Sequence, residues 1–318
     1  MSTPEEAKAI IRRWNEEGWS GGKYALAYEI IAAVMTVHGA GGQPVSSGPD
    51  GLIDLIKTWR TAFPDGNMGI DDIIVDSTSI GSTSAGSSLV AIRNTWHGTQ
   101  KAPFYGIPAS DKWVDVTSIG IDRVQNGKVT EGWGELDMVG MMQQLGALPL
   151  VGSGAVSSGR SSLWGPSSTK NGPSTTTPRE NKDILERFIQ AISTGDRLAF
   201  EQIVDVYDYV EHNPVWGSQN LTSGMHAYAM LRRAMPDLHF EVERGIMVAE
   251  GNQVAAHSIV TGTHSGEKLY GVAASGKHVQ WTHSDFVRIV EGKIVERWVS
   301  ADTLTLLQQT GVLPSQGG

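Results

Sequence analysis

In the second half of the chain, apolar residues recur first with helical spacing and then with strand spacing. Ile184, Leu185, Phe188, Ile189 and Ile192 share one face at a 3.6-residue period, which predicts a helix over 181–194. Helical spacing continues over 198–206 and again over 225–235, where Pro236 stops it. Alternation rich in Val, Ile and aromatics then predicts strands over 238–249, 253–263, 278–290 and 293–300. Glu291-Gly292 marks the hairpin between the last two, and a short helix over 304–309 ends at Gly311. Helices followed by strands is an α+β order, with a curved antiparallel sheet, and not a βαβ order.

The pattern occurs twice. Residues 106–149 align with 271–314 at a constant shift of 165 (271 − 106 and 314 − 149) without a gap. Arg123, Gly127, Lys128, Glu131, Trp133, Asp137 and Gly146 fall on Arg288, Gly292, Lys293, Glu296, Trp298, Asp302 and Gly311. Upstream, with small gaps, His38 meets His212, Pro64-Asp65 meets Pro236-Asp237, and Gly98-Thr99 meets Gly262-Thr263. Between the copies, 150–178 is rich in Ser, Gly, Thr and Pro and reads as a linker, with Trp164 its one large apolar residue. The reading is therefore one domain over 8–149, the linker over 150–178, and a second domain over 179–314.

Composition narrows the function. With 40% hydrophobic and 19% charged residues the chain is ordinary for a soluble globular protein, and no apolar run is long enough to span a membrane. The charged residues 1–13 lack an apolar core, so no secretory signal is expected and a cytoplasmic location is the default. A net charge of −9 argues against nucleic acid as partner. The absence of cysteine removes disulfides, thiolate nucleophiles and cysteine-type zinc sites. No P-loop, Gly-x-Ser-x-Gly elbow or His-Glu-x-x-His spacing is present, so no metal or nucleotide cofactor is expected. The Gly-rich stretches 39–42 and 81–86 and the Ser-rich stretch 77–88 read as loops.

The second copy carries His212-Asn213-Pro214, Met235-Pro236-Asp237-Leu238, Gly262-Thr263-His264-Ser265-Gly266, and Arg288 leading through Glu-Gly-Lys-Ile-Val-Glu-Arg-Trp to Asp302 and Gln309-Thr310-Gly311. It resembles the SnoaL-like polyketide cyclases of the nuclear-transport-factor-2-like superfamily, and the first copy resembles them more faintly. The resemblance implies two tandem cone-shaped α+β barrels, each closing a curved sheet around an apolar pocket. It also implies cofactor-free, aldol-type cyclisation of a polyketide-like carbonyl compound in secondary metabolism, with a carboxylate as acid/base and a histidine nearby. The same fold hosts isomerases, dehydratases, hydrolases and non-catalytic binders, so those readings stay open.

Within 278–290 one strand face reads Val279, Trp281, His283, Asp285, Val287, Ile289. A carboxylate on so apolar a face is expected to be desolvated, with its pKa raised towards neutrality, as a general base requires. The alternative is a His–Asp pair that satisfies itself at a pocket wall, or a face turned to solvent. Asp285 is thus the first choice of base, His283 its proton-donating or polarising partner, and Trp281 and Trp298 pocket walls. Glu296 is the second choice of base, against a structural role with Arg288. Asp302 reads as the N-cap of the last helix or a pocket residue. His212 reads as a helix C-terminal or pocket-facing histidine. His264 lies in a loop at a strand end, where binding residues concentrate. His257 lies mid-strand opposite Arg93 of the other copy. Because Ser118, Gly120 and Gln100 stand opposite His283, Asp285 and His264, chemistry is expected in the C-terminal domain, the N-terminal copy being degenerate or structural. The expected partner is a small-molecule substrate. The two copies are expected to pair as an intramolecular pseudo-dimer, which leaves a homo-oligomer open.

Overall fold

The structure is a computed structural model that describes residues 3–38, 44–76, 86–148, 167–170, 172–214 and 217–313. The loop readings at 39–42 and 77–85 and the linker residue Trp164 lie outside the described residues. In the first domain, α1 (Pro4–Arg13) runs into a π-helical segment (Trp14–Ser20), followed by α2 (Leu26–Ile30). Strands β1 (Ile31–His38) and β2 (Pro44–Ser47) precede α3 (Pro49–Ala62). Then come β3 (Asn67–Val75), β4 (Ser87–Thr99), β5 (Trp113–Gln125), β6 (Lys128–Leu136) and α4 (Met138–Leu145). The second domain repeats the order with α5 (Pro178–Thr194), α6 (Arg197–Ile203), β7 (Val210–Asn213), β8 (Gly217–Asn220) and α7 (Leu221–Ala234). Strands β9 (His239–Glu250), β10 (Gln253–Thr263), β11 (His278–Val290) and β12 (Lys293–Ala301) lead to α8 (Thr303–Thr310).

Each domain holds one six-stranded sheet, ordered β2-β1-β6-β5-β4-β3 and β8-β7-β12-β11-β10-β9. The sheets are antiparallel except where β1 joins β6 and β7 joins β12 in parallel. His212 therefore lies in a strand, opposite Trp298, and not at the end of a helix.

Local chemistry sets these elements in both copies alike. Thr3 and Thr177 each close a capping box with a glutamate three residues on, ahead of a proline that suits the first helical turn. Asp137 and Asp302 cap α4 and α8 by accepting from Gly140 N and Thr305 N, as read for Asp302 from the sequence. The β5–β6 and β11–β12 hairpins turn on Asn126-Gly127 and Glu291-Gly292. Both residues of each pair have positive φ, the requirement of a tight two-residue hairpin.

Both faces of each sheet are covered. The inner faces enclose the cones. The outer faces pack on each other through Ile74, Leu89, Ile119, Ile121 and Trp133 of one domain and Ile246, Val248, Phe286 and Trp298 of the other. Such two-sided burial explains why every residue of β11 from Trp281 to Val287 is buried, polar ones included. Ion pairs frame the contact, with Lys182 2.9 Å from Asp76 and Lys8 2.7 Å from Glu250. Among the described residues no helix is long and apolar enough to cross a membrane.

Candidate active site

The inner face of the C-terminal cone does bring together Asp285, His283 and Trp281, but it adds a residue that changes their meaning. Arg297, on β12, is fully buried. Its Nε donates to Asp285 Oδ1 at 2.7 Å, and its guanidinium also reaches Glu211 Oε2 at 2.8 Å, Tyr228 Oη, and His283 Nε2 at 3.1 Å. Tyr209 donates to the same Glu211 oxygen at 2.9 Å. Burial alone pushes the Asp285 carboxyl up, but Arg297 and then His283 outweigh it and hold the pKa down at about 2. The expected raised pKa is thus corrected: the carboxylate is desolvated as expected, yet it is already neutralised by a cation in the same cone. The network fills the space. The cavity left beside Trp281, His283 and Tyr228 measures about 40 Å³, on the scale of one or two water molecules.

The remaining candidates lie elsewhere. Glu296 points to the outer face, where it is 2.8 Å from His212 Nε2 and also binds Arg288. Burial raises its pKa, but hydrogen bonds from His212 and Arg288 outweigh this and leave it lowered. His212 stacks on Trp298, whose other neighbour is Arg93 of the first domain, 4.3 Å from the ring. The N-terminal copy repeats the set: His38 lies 2.9 Å from Glu131 and stacks on Trp133, while Arg123 donates to Glu131 at 2.8 Å. The residues that recur between copies therefore build the outer face of each sheet. Glu296, the second choice of base or a partner of Arg288, does pair with Arg288, and Glu296, His212 and Trp298 line none of the cavities. His264 is fully buried at its strand end, pairs with Ser275 at 3.3 Å and lines none of the three cavities. Asp302 borders a cavity, but it is the N-terminal one; Asp137 in turn borders the C-terminal one.

The N-terminal cone is hollow. Its cavity measures about 450 Å³, within the range of small-molecule sites. Trp14, Trp19, Trp59 and Trp96 line it, with methionines from several elements. The π-helical segment carries Trp14, Asn15 and Trp19 to this wall; such widened turns recur at functional sites. The floor is β5 and β6, where Gly120 and Gly134 face each other across the ladder and Gly132 faces Asp122. At the 165-residue shift, Gly120, Gly132 and Gly134 occupy the positions of Asp285, Arg297 and Val299. Val37, which pairs with Gly132, takes the place of Glu211, which pairs with Arg297. The glycines remove the side chains that fill the other cone.

Three carboxylates border this cavity, Asp122, Glu135 and Asp302, and Asp122 is the one on its glycine floor. Asp122 lies on the same strand face as Ser118 and Gly120, and it accepts no hydrogen bond from any described residue. Desolvation by the surrounding protein pushes its pKa up to about 7. A methyl group at Gly132 would come within 2.9 Å of Asp122 Oδ1 and of Met35 Cε, so the glycine makes room for the carboxylate. Two strand positions back, Ser118 Oγ donates to Asn94 Oδ1, and Asn94 Nδ2 donates to Asn15 Oδ1 at 3.4 Å. The Trp96 indole N–H, also in the wall, has no partner among the described residues. An ionisable group poised near neutrality thus shares an aromatic cavity with a short strip of hydrogen-bonding groups. Sequence reading missed Asp122, Arg297, Glu211, Tyr209 and Tyr228. Asp122 left a signal, because it alternates with Ser118 and Gly120 on the face already singled out in the second copy.

The profile of the SnoaL-like polyketide cyclases matches residues 9–145 and again 182–310. The chain belongs to the SnoaL-like polyketide cyclase family. It holds two copies of the family's domain. No curated protein matches it. Among solved structures it is similar to AclR from Streptomyces galilaeus, with 26% identity and a TM-score of 0.41 over 44% of this chain and 87% of that one. It is also similar to IdmH from Streptomyces antibioticus, with 25% identity and a TM-score of 0.37 over 46% and 99%. A SnoaL-like polyketide cyclase from Agrobacterium tumefaciens is 20% identical, with a TM-score of 0.34 over 41% and 96%.

Proposed function

We propose that the N-terminal cone of this SnoaL-like protein is the substrate site, and that it performs acid–base cyclisation of a small apolar carbonyl compound with its own side chains. The observation that carries the reading is Asp122, a carboxylate without a partner among the described residues and with a pKa of about 7, in an aromatic cavity of about 450 Å³. A base of that pKa is ionised in part at neutral pH and strong enough to take a proton from carbon beside a carbonyl. The enolate oxygen would rest on the second amide N–H of Asn94 and on the Trp96 N–H, with Ser118 holding the Asn94 amide in place before the charge develops. The enolate carbon then attacks a second carbonyl of the same molecule. One carbon–carbon bond forms, and the new alkoxide takes back the proton from Asp122, so the base is regenerated and no co-reactant is consumed. In the C-terminal cone Arg297 already engages Asp285 through Oδ1, and the cavity beside His283 measures only about 40 Å³, which favours the N-terminal site.

The test uses a poly-β-ketoester with an apolar tail and follows ring closure. Asp122→Asn keeps the shape and removes the base, so turnover should fall by roughly 10²–10⁴-fold. Wild-type turnover should rise with pH through about 7 as Asp122 ionises. Asp285→Asn should keep turnover within about threefold, once the folded fraction is measured, because it touches only the filled cone. Full activity in Asp122→Asn with loss in Asp285→Asn would move the site to the C-terminal domain.

A further inference from the structure

The two outer sheet faces meet in a nearly symmetric contact that is broken at one pair of positions. On β10, His257 is buried between two carboxylates. Its Nδ1 lies 3.1 Å from Glu243 Oε2 on β9, and its Nε2 lies 3.4 Å from Glu135 Oε1 on β6 of the other domain. Glu135 is also buried, and its carbonyl accepts from Ser300 Oγ at 2.9 Å across the same contact. Glu135 belongs to the wall of the N-terminal cavity, next to Gly134 in the cavity floor, and Asp302 of the C-terminal domain borders the same cavity. At the symmetric place stand Arg93, whose Nε donates to Asp72 at 3.0 Å, and Ser300 in the position of Glu135. Arginine keeps its charge at every accessible pH, whereas histidine does not. The titratable version of the contact is the one that leads to the hollow cone.

We infer that His257 is a positioning residue for the N-terminal cavity, supplied by the C-terminal domain: as the cation between Glu243 and Glu135 it holds the Gly132–Leu136 segment of β6, and the cavity keeps its shape only while that cation is present. The inference rests on the N-terminal cone being the substrate site. The groups around His257 support a cationic state. Burial works to keep the imidazole neutral, but hydrogen bonds to Glu135 and Glu243 outweigh it and raise its pKa. Burial also works to raise Glu243, but His257 outweighs it, and Trp133 and His38 help hold that carboxylate down. Glu135 is raised by burial, opposed by His257 and Thr282, with the nearby Asp302 charge adding to the rise. Because the folded-state pKa of His257 is raised, its stabilisation is fully present below the ordinary imidazole range. It is lost as pH rises through the raised value.

The experiment measures Nile red binding to the full chain as a function of pH, alongside His257→Gln and His257→Arg. Wild type should lose dye affinity several-fold at alkaline pH. His257→Arg, which copies the symmetric Arg93, should retain affinity there, and His257→Gln should bind weakly at every pH with no alkaline fall. Dye affinity in His257→Gln that follows wild type across the whole range would overturn the inference. Should either variant fail to fold, the imidazole titration of His257 in wild type, followed by NMR, decides instead. It must lie above an ordinary imidazole and drop in Glu135→Gln, and an ordinary or lower value refutes the proposal. Asp122→Asn should keep the alkaline fall in dye binding while losing turnover. Failure of the active-site reading would therefore appear as retained turnover in that variant and not in the dye curve.

Discussion

The two cones have the same strands in the same order and the same His–Glu–Arg–Trp set on their outer faces, yet one is solid and the other open. The solid cone holds Asp285, Glu211, Arg297, His283 and two tyrosines, whereas the floor of the open cone holds Asp122 and three glycines in the corresponding strands. Ionisable side chains by number would favour the solid cone. Their partners argue the reverse, since Asp285 and Glu211 already share the Arg297 charge at 2.7–2.8 Å. An unpaired group is costly to bury, and Asp122 meets that cost by its raised pKa. Free volume and a raised carboxylate pKa, taken together, are what distinguish the open cone from the filled one.

The largest effect that tests this contrast is on stability. Asp285→Asn leaves the buried Arg297 short of a counter-charge, and denaturant unfolding should show a loss of about 3–5 kcal/mol at neutral pH. The lowered pKa sets the pH range. The stabilisation from Asp285 is present above its ordinary value of about 4 and disappears as pH falls towards about 2. The wild-type advantage over Asp285→Asn should vanish across that window. Equal stability of the two proteins at pH 7 would show that the ion pair does not support the cone.

A smaller effect concerns space. Gly134→Val copies Val299 from the matched position of the solid cone. The added Cβ meets Gly120 Cα and Ile119 O only at 4.0 Å, so the strand should accept it. A β-branched residue also suits a strand better than glycine, and stability should change by less than about 1 kcal/mol. Nile red affinity should nonetheless drop roughly tenfold as the floor is filled. Undiminished binding would place the dye, and by extension the ligand, somewhere other than on the glycine floor.

A third effect has the opposite sign to ordinary mutational damage. Because Asp122 has a raised pKa, the folded state binds its proton more tightly than the unfolded chain, and stability declines between pH of about 4 and 7. Asp122→Asn removes that decline. The variant should be more stable than wild type by about 1–3 kcal/mol at pH 8 and equal to it at pH 4. A variant less stable than wild type at pH 8 would mean that Asp122 has a stabilising partner.

The duplication and the fold were legible because they depend on residues that act locally and in register: capping threonines, paired glycines at the hairpins, and alternating apolar strands. The outer-face set was legible as recurrence, but recurrence marks what both copies need, which is the scaffold. The interior chemistry was harder to read. Arg297, Glu211, Tyr209 and Tyr228 come from three separate elements, and each alone resembles an ordinary surface residue until the strands bring them together. Comparing His283 with Ser118 and Asp285 with Gly120 counts lost polar groups. It overlooks that glycines at 120, 132 and 134 remove bulk, and that Asp122, opposite Val287, adds the charge back one strand step along. His257 was visible only as a histidine opposite an arginine, since its two carboxylate partners lie on different strands and one lies in the other domain.

The docking of the sheets inside a single chain has a consequence for how such a molecule changes over time. In a dimer of identical subunits every substitution is made twice, so a side chain that fills one pocket fills both, and a contact that titrates on one side titrates on the other. Here each position has its own codon. One cone was free to become a rigid block while the other stayed empty, and one half of the contact was free to keep a permanent charge while the other took a switchable one. The symmetry of the backbone was retained because both outer faces still need each other, while the interiors were released to diverge.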